Sequence, residues 1–126
     1  MTQTASPLGT NFVTQIGVLV HDIEKTAEEF KKFLGVEPRF VLTEDFEFAQ
    51  TQYKGSPTRA RARLAFFNAG PNIEIELIQP DMEPSTWRED LNAKGECVHH
   101  IAFVIKGMNE TIGRLAEMGM PLLQRG

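Results

Sequence analysis

The stretch Gln15–Gly35, QIGVLVHDIEKTAEEFKKFLG, decides the fold because its pattern returns at His100–Gly119, HIAFVIKGMNETIGRLAEMG, an offset of 100 − 15 = 85 residues. A repeated unit constrains architecture more firmly than any single propensity. Each copy opens with an apolar run, Ile16–Val20 and Ile101–Ile105, and crosses a polar break. Apolar residues at helical spacing follow: Ile23, Ala27, Phe30 and Leu34 in the first copy, Met108, Ile112, Leu115 and Met118 in the second. Asp22 stands where a helix N-cap belongs, and Gly35 and Gly119 stand where a left-handed C-terminal cap belongs. Both copies therefore read as strand, turn, helix and glycine, each helix burying one stripe, with the methionines of the second helix as core.

Outward from the first copy, three more extended stretches appear, Arg39–Glu47, Arg59–Phe67 and Ile73–Gln79, divided by the turn-rich KGSPT and NAGPN. The first unit is thus β-α-β-β-β. PDMEPSTWREDLNAKGE joins the units, with Thr86 and Glu89 spaced as a capping box on a short helix that Trp87 packs. The reading is an α+β chain: an N-terminal tail over 1–12, a βαβββ module over 13–80, a linker helix within 81–97 and the start of a second module over 98–126. By the glycine offset, 119 − 35 = 84, Gly126 corresponds to Leu42, since 126 − 84 = 42. About three dozen residues of sheet are then wanting by analogy with the first unit. Either the second module is truncated or another chain fills the open edge; truncation is the favoured expectation, because an unpaired strand edge invites pairing.

Composition narrows the function classes. With 126 residues, 41% hydrophobic and 24% charged, the chain has the size and balance of one compact domain. Thirteen Lys plus Arg against seventeen Asp plus Glu give a formal net charge of −4, which supplies no positive field for nucleic acid or anionic lipid. The lone Cys97 has no internal disulfide partner, and MTQTASPLGTNF has neither the basic start nor the apolar core of a signal peptide. No apolar run approaches the roughly 20 residues that cross a bilayer. The expectation is a soluble, cytoplasmic protein.

Period-two alternation decides which strand side chains share a face. Ile16, Val18 and Val20 match Ile101, Phe103 and Ile105 as the greasy set beneath the helices, so Gln15 and His100 point the other way. Their same-face neighbours, Gly17 and Ala102, are small, which makes that face hollow. With Ile73, Ile75 and Leu77 turned to the helices, Glu74, Glu76 and Ile78 join the hollow face. A glutamine oxygen, a carboxylate and an imidazole in one concavity form a donor set for a divalent cation. Alternating Glu and Ile is also the pattern of a half-solvated antiparallel strand, and a histidine on a strand is often a packed residue. Of the neighbours His99 and His100, alternation sends one to the helices or the rim.

Together the βαβββ repeat, QIGVLV with DIEKTAEEFKKFLG, IEIELIQP and GECVHHIAF resemble the vicinal oxygen chelate superfamily, the group of glyoxalase I, methylmalonyl-CoA epimerase, extradiol dioxygenases and bleomycin-resistance proteins. The look is nearest to methylmalonyl-CoA epimerase and to glyoxalase I (lactoylglutathione lyase). The resemblance implies paired modules whose curved mixed sheet encloses a cup with a divalent metal at its base; the open half-sheets and the short second unit add the expectation of a homodimer. It places metal ligands at Gln15, Glu76 and His100, and a fourth, usually glutamate, on a last strand that would lie beyond Gly126. Gln15 stands where histidine is commonest; an amide oxygen suits Mg²⁺, Mn²⁺ or Co²⁺ better than zinc, so Co, Mn, Mg, Ni and Zn all stay open. The implied chemistry is that of a lyase or an isomerase/epimerase on a small carbonyl or thioester substrate, in which the metal stabilises an enediolate and a carboxylate, Glu76, moves the proton. A metal-free cup that sequesters a ligand, of the bleomycin-resistance type, is the alternative.

Other residues carry weaker signals. Arg59, Arg61 and Arg63 alternate onto one face, either as a clamp for an anionic substrate group or as a solvated basic face. Glu44, Asp45 and Glu47 lie near the second strand, where the epimerases supply a base, without an assignable role. His21 reads as a surface turn residue.

Overall fold

The computed structural model describes residues 6–126; residues 1–5 of the expected N-terminal tail lie outside the described residues. Strand β1 (Gln15–Leu19) leads into helix α1 (Ile23–Leu34). Asp22, in an extended conformation, caps that helix by accepting from the Lys25 amide at 3.2 Å, and Gly35 closes it at φ 71° with its N–H donating to the Lys31 carbonyl. The positive φ is open to glycine without a Cβ penalty. One face of α1, carrying Ile23, Ala27, Phe30 and Leu34, packs on Val18, Val20, Ala65, Phe67 and Leu77. The stripe read from the sequence is therefore the core stripe, and side chains such as Ile23 or Leu77 contribute about 1.5–3 kcal/mol each by burial.

The second strand is shorter than its apolar pattern implies. Strand β2 (Arg39–Leu42) stops well before Glu47, because Asp45 accepts from the Phe48 amide at 3.2 Å and starts helix α2 (Phe46–Ala49). A capping aspartate offers the backbone a helical alternative to the sheet ladder. KGSPT begins at the tip of a hairpin: β3 (Gln52–Tyr53) and β4 (Ser56–Pro57) are joined by Lys54 and Gly55, at φ 52° and 81°, the double left-handed turn that matches strand twist. Strand β5 (Ala62–Asn68) begins at Ala62 and not at Arg59, and β6 is Glu74–Pro80. Helix α3 (Thr86–Lys94) is capped by Ser85, which accepts from the Arg88 amide at 3.0 Å, one residue earlier than the expected Thr86. Strand β7 (Cys97–Ala102), helix α4 (Met108–Glu117) and strand β8 (Gln124–Arg125) complete the described chain.

A curved, unclosed mixed sheet of order β2-β5-β6-β1-β7 forms the centre, with β1 and β6 parallel and the other neighbours antiparallel; β4-β3-β8 form a small second sheet. The core has two layers. Helix α1 covers one face, while Leu91 of α3 packs with Leu19, Ala62, Leu64 and Ile78 on the other, and Trp87 lies against that cluster. Strands β1 and β7 obey the repeat: Gln15 lies opposite Ala102 and Gly17 opposite His100, so the 85-residue offset exchanges the two pairs, as a local twofold requires. The second helix does not follow. Ile112 and Leu115 line a cavity beside Trp87, and Ile101 and Val98 stay 54% and 66% exposed. Met108 and Met118, expected in the core, are each 58% exposed, because no second layer covers that side of α4 among the described residues. No helix among the described residues is long and apolar enough to cross a membrane.

Candidate active site

Strand register brings five residues into one row across the sheet: Arg39, Phe66, Glu76, Gly17 and His100. Phe66 packs with the cluster on the α3 side, so the row lies on the face away from α1. Glu76 is 8% exposed, and its Oε1 stands 3.4 Å from Nε2 of His100. Gly17 between them explains the approach. A Cβ at Gly17 would lie 2.7 Å from Nε2 and 2.8 Å from Nδ1 of His100, so the ring occupies the hollow expected above the small residues. Gln15 sits two residues along β1, opposite Glu74 and Ala102 on the same face; among the described residues it makes no hydrogen bond with Glu76 or His100.

A bulge adds a partner that alternation hides. Register runs Gly17 to His100 and then Val18 to Val98, which leaves His99 without an opposite residue. The expectation that His99 and His100 part to opposite faces fails for that reason: their Nδ1 atoms are 2.8 Å apart and their rings meet edge to face with centroids at 5.0 Å. Nε2 of His99 faces Asp90 Oδ2 of α3 at 3.3 Å, and the side chain is 9% exposed. Burial, then the neighbouring His100, push His99 below the ordinary histidine value of 6.5, while Asp90 and the Thr86 backbone pull the other way.

Next to the histidines lies a cavity of about 520 Å³ walled by Trp87, Ile112, Leu115 and Leu122. A second, of about 550 Å³, takes in Thr43, Glu44, Phe48 and Trp87. Trp87 therefore packs α3 and also borders both spaces. The three arginines on the Arg59–Arg63 stretch do not form a clamp: Arg59 pairs with Glu47 at 3.2 Å, Arg61 donates twice to the Thr43 carbonyl, and Arg63 reaches Glu24 at 2.7 Å. Arg39, which alternation did not single out, lies over the Phe66 ring at 4.5 Å and stands 3.8 Å from Glu74. Asp45 is committed to its cap and His21 is exposed, its backbone N–H donating to Glu96. Asp90 and Arg39 were missed, and His99 was left without a role, because each depends on tertiary register.

Two donors about 2.1 Å from one ion at a tetrahedral angle stand about 3.4 Å apart, and the Glu76–His100 separation matches. Among the described residues no three His, Cys, Asp or Glu side chains converge as a metal cluster, so a divalent ion here would take its further ligands from Gln15 and from outside that set.

A curved, unclosed mixed sheet built from a βαβββ unit, with a carboxylate and an imidazole meeting over a glycine on the face away from α1, is consistent with a glyoxalase-type fold. Residues 14–126 match the profile of the glyoxalase/bleomycin resistance protein/dioxygenase superfamily, and the chain belongs to that superfamily. An uncharacterized protein of Bacillus subtilis, YqjC, is 28% identical over 115 residues, covering 91% of this chain and 72% of its own. Methylmalonyl-CoA epimerase from Mycobacterium tuberculosis superposes with a TM-score of 0.60 at 18% identity, over 94% of this chain and 69% of that one. The Streptomyces coelicolor epimerase in complex with 2-nitronate-propionyl-CoA gives a TM-score of 0.59 at 22% identity, over 86% of this chain and 69% of that one. A 4-hydroxymandelate synthase mutant from Streptomyces coelicolor shares the fold at a TM-score of 0.58 and 21% identity, over 86% of this chain and 32% of that one.

Proposed function

We propose that this protein is a glyoxalase-type isomerase/epimerase or lyase that acts on a small carbonyl or thioester substrate with a divalent ion held by Gln15, Glu76 and His100. The observation that carries the reading is the 3.4 Å approach of Glu76 and His100 above Gly17. A bound divalent ion acts as a Lewis acid, polarising a carbonyl and acidifying the adjacent C–H. Glu76, nearly excluded from water, is the carboxylate within the row that accepts the proton from that carbon. The cavity beside the histidines takes the apolar part of the substrate against Trp87, Ile112 and Leu115. Arg39, on the same row, offers a cation to an anionic substrate group.

One observation favours the second reading, a metal-free cup that sequesters its ligand: the absence of a cluster of three or more His, Cys, Asp or Glu among the described residues. Solvent exchange separates the two. Thioesters and hydroxycarbonyl compounds incubated in D₂O with protein and Mn²⁺, Co²⁺, Ni²⁺, Mg²⁺ or Zn²⁺ should gain deuterium next to the carbonyl, and Glu76→Gln should abolish the gain. Ligand binding without exchange under any of the metals supports the sequestering cup and overturns the enzyme reading.

A further inference from the structure

Resting on the site proposed above, we infer that Trp87 is a specificity-determining residue: with Gln124 it forms the wall that limits how long an apolar arm the substrate can carry. The cavities of about 520 and 550 Å³ meet at these two side chains, which line both. Only the first cavity is bordered by His99 and His100. The two spaces also differ in chemistry. Ile112, Leu115 and Leu122 give the first an apolar lining, whereas Thr43, Glu44 and Thr51 bring hydroxyls and a carboxylate to the second.

The wall is built from two elements that are tied together. Trp87 stands on the first turn of α3 and packs against the cluster of Leu19, Ala62, Leu64, Ile78 and Leu91. Gln124 belongs to β8, and its Oε1 accepts from the N–H of Thr86, the residue before Trp87, at 2.9 Å. On the other side β8 pairs with β3, Gln52 opposite Arg125 and Tyr53 opposite Gln124, and the Leu123 carbonyl accepts from the Lys54 N–H at 2.7 Å. An indole backed by close-packed core cannot turn aside without opening that packing. Each methylene of a substrate arm that finds apolar wall strengthens binding about fourfold, the equivalent of about 0.8 kcal/mol. Past the first cavity the gain stops: the arm meets the indole, and the space behind it holds polar groups that an alkyl chain would desolvate without replacing their hydrogen bonds.

The test is isothermal titration of the full chain, with and without Mg²⁺, using straight-chain N-acetylcysteamine thioesters from acetyl to decanoyl, in which only the acyl arm grows. Wild type should bind about fourfold more tightly per methylene up to a break, beyond which affinity levels or falls. Trp87 is the one tryptophan of the chain, so its emission should shift as the arm approaches the break. Trp87→Ala should move the break to longer arms, and an arm two methylenes past the wild-type break should bind about tenfold or more tightly than it does to wild type. Gln124→Ala, which leaves the packing of Trp87 in place, should move the break the same way by less, and decides the matter if Trp87→Ala does not fold. Affinity that rises evenly through decanoyl in wild type, a break unmoved in the folded variants, or no binding of any thioester overturns the inference. A break without deuterium uptake beside the carbonyl would strike the enzyme reading and leave the wall intact; uptake without a break would strike the wall alone.

Discussion

Gly17 has two constraints, a strand position between β6 and β7 and a ring resting on its Cα. Gly17→Ala should cost about 1–3 kcal/mol, the range for overpacking a filled site, and should displace His100; urea denaturation reads the first effect and metal titration the second. His99 makes the fold sensitive to acid. Its folded pKa lies below the 6.5 of an ordinary histidine, so the unfolded chain binds more protons in that range and stability rises with pH. Its contribution is complete above about 6.5 and is lost as pH falls from there through the folded value. Chemical denaturation between pH 8 and pH 5 should show a smaller loss in His99→Gln than in wild type. Equal losses would contradict the buried, neutral ring. At this scale the sequence was partly legible: alternation set Glu76 and His100 on one face, and the structure brings them within 3.4 Å. Gly17 was legible as a hollow, but which ring fills it depends on the pairing of strands 85 residues apart.

Elements were readable where their signals are local. The cap at Asp22 and the left-handed glycine at Gly35 mark both ends of α1 without reference to the rest of the fold. Asp22→Ala should lower stability by about 1 kcal/mol, measured by thermal unfolding, with the slope of the transition unchanged. Ser85 is 1% exposed and caps α3, so Ser85→Ala should cost as much or more, up to about 2 kcal/mol. Element boundaries failed where two local preferences compete. Phe46, Glu47 and Phe48 continue a strand-like pattern, yet Asp45 holds them in a helix turn. The bulge at His99 leaves no mark in period two, because the pattern HHI reads equally well as a regular strand. Without the bulge, His99 would leave His100, and the contact with Asp90 would be lost.

At the scale of the whole molecule, the repeat was the strongest signal, and β1 against β7 carries its twofold. What the repeat does not specify is how α4 packs, since an amphipathic stripe needs only some apolar surface and here meets the cavity beside Trp87. Val98 and Ile101 remain exposed on the edge strand β7, and Val104 just beyond its end, a surface of the kind that associates. The homodimer expected from the sequence should appear in sedimentation at micromolar concentration, and Ile101→Lys should weaken it; a monomer in wild type contradicts that assembly. The central claim is that Glu76 and His100 hold a divalent ion. Isothermal titration of the metal-free chain with Co²⁺, Mn²⁺ and Zn²⁺ tests it most directly, with His100→Ala and Gln15→His in parallel. Stoichiometric binding in wild type, its loss in His100→Ala, and tighter zinc in Gln15→His, where imidazole replaces an amide oxygen, are the predicted results. No binding of any of the three ions by wild type, unchanged by either substitution, would contradict the claim.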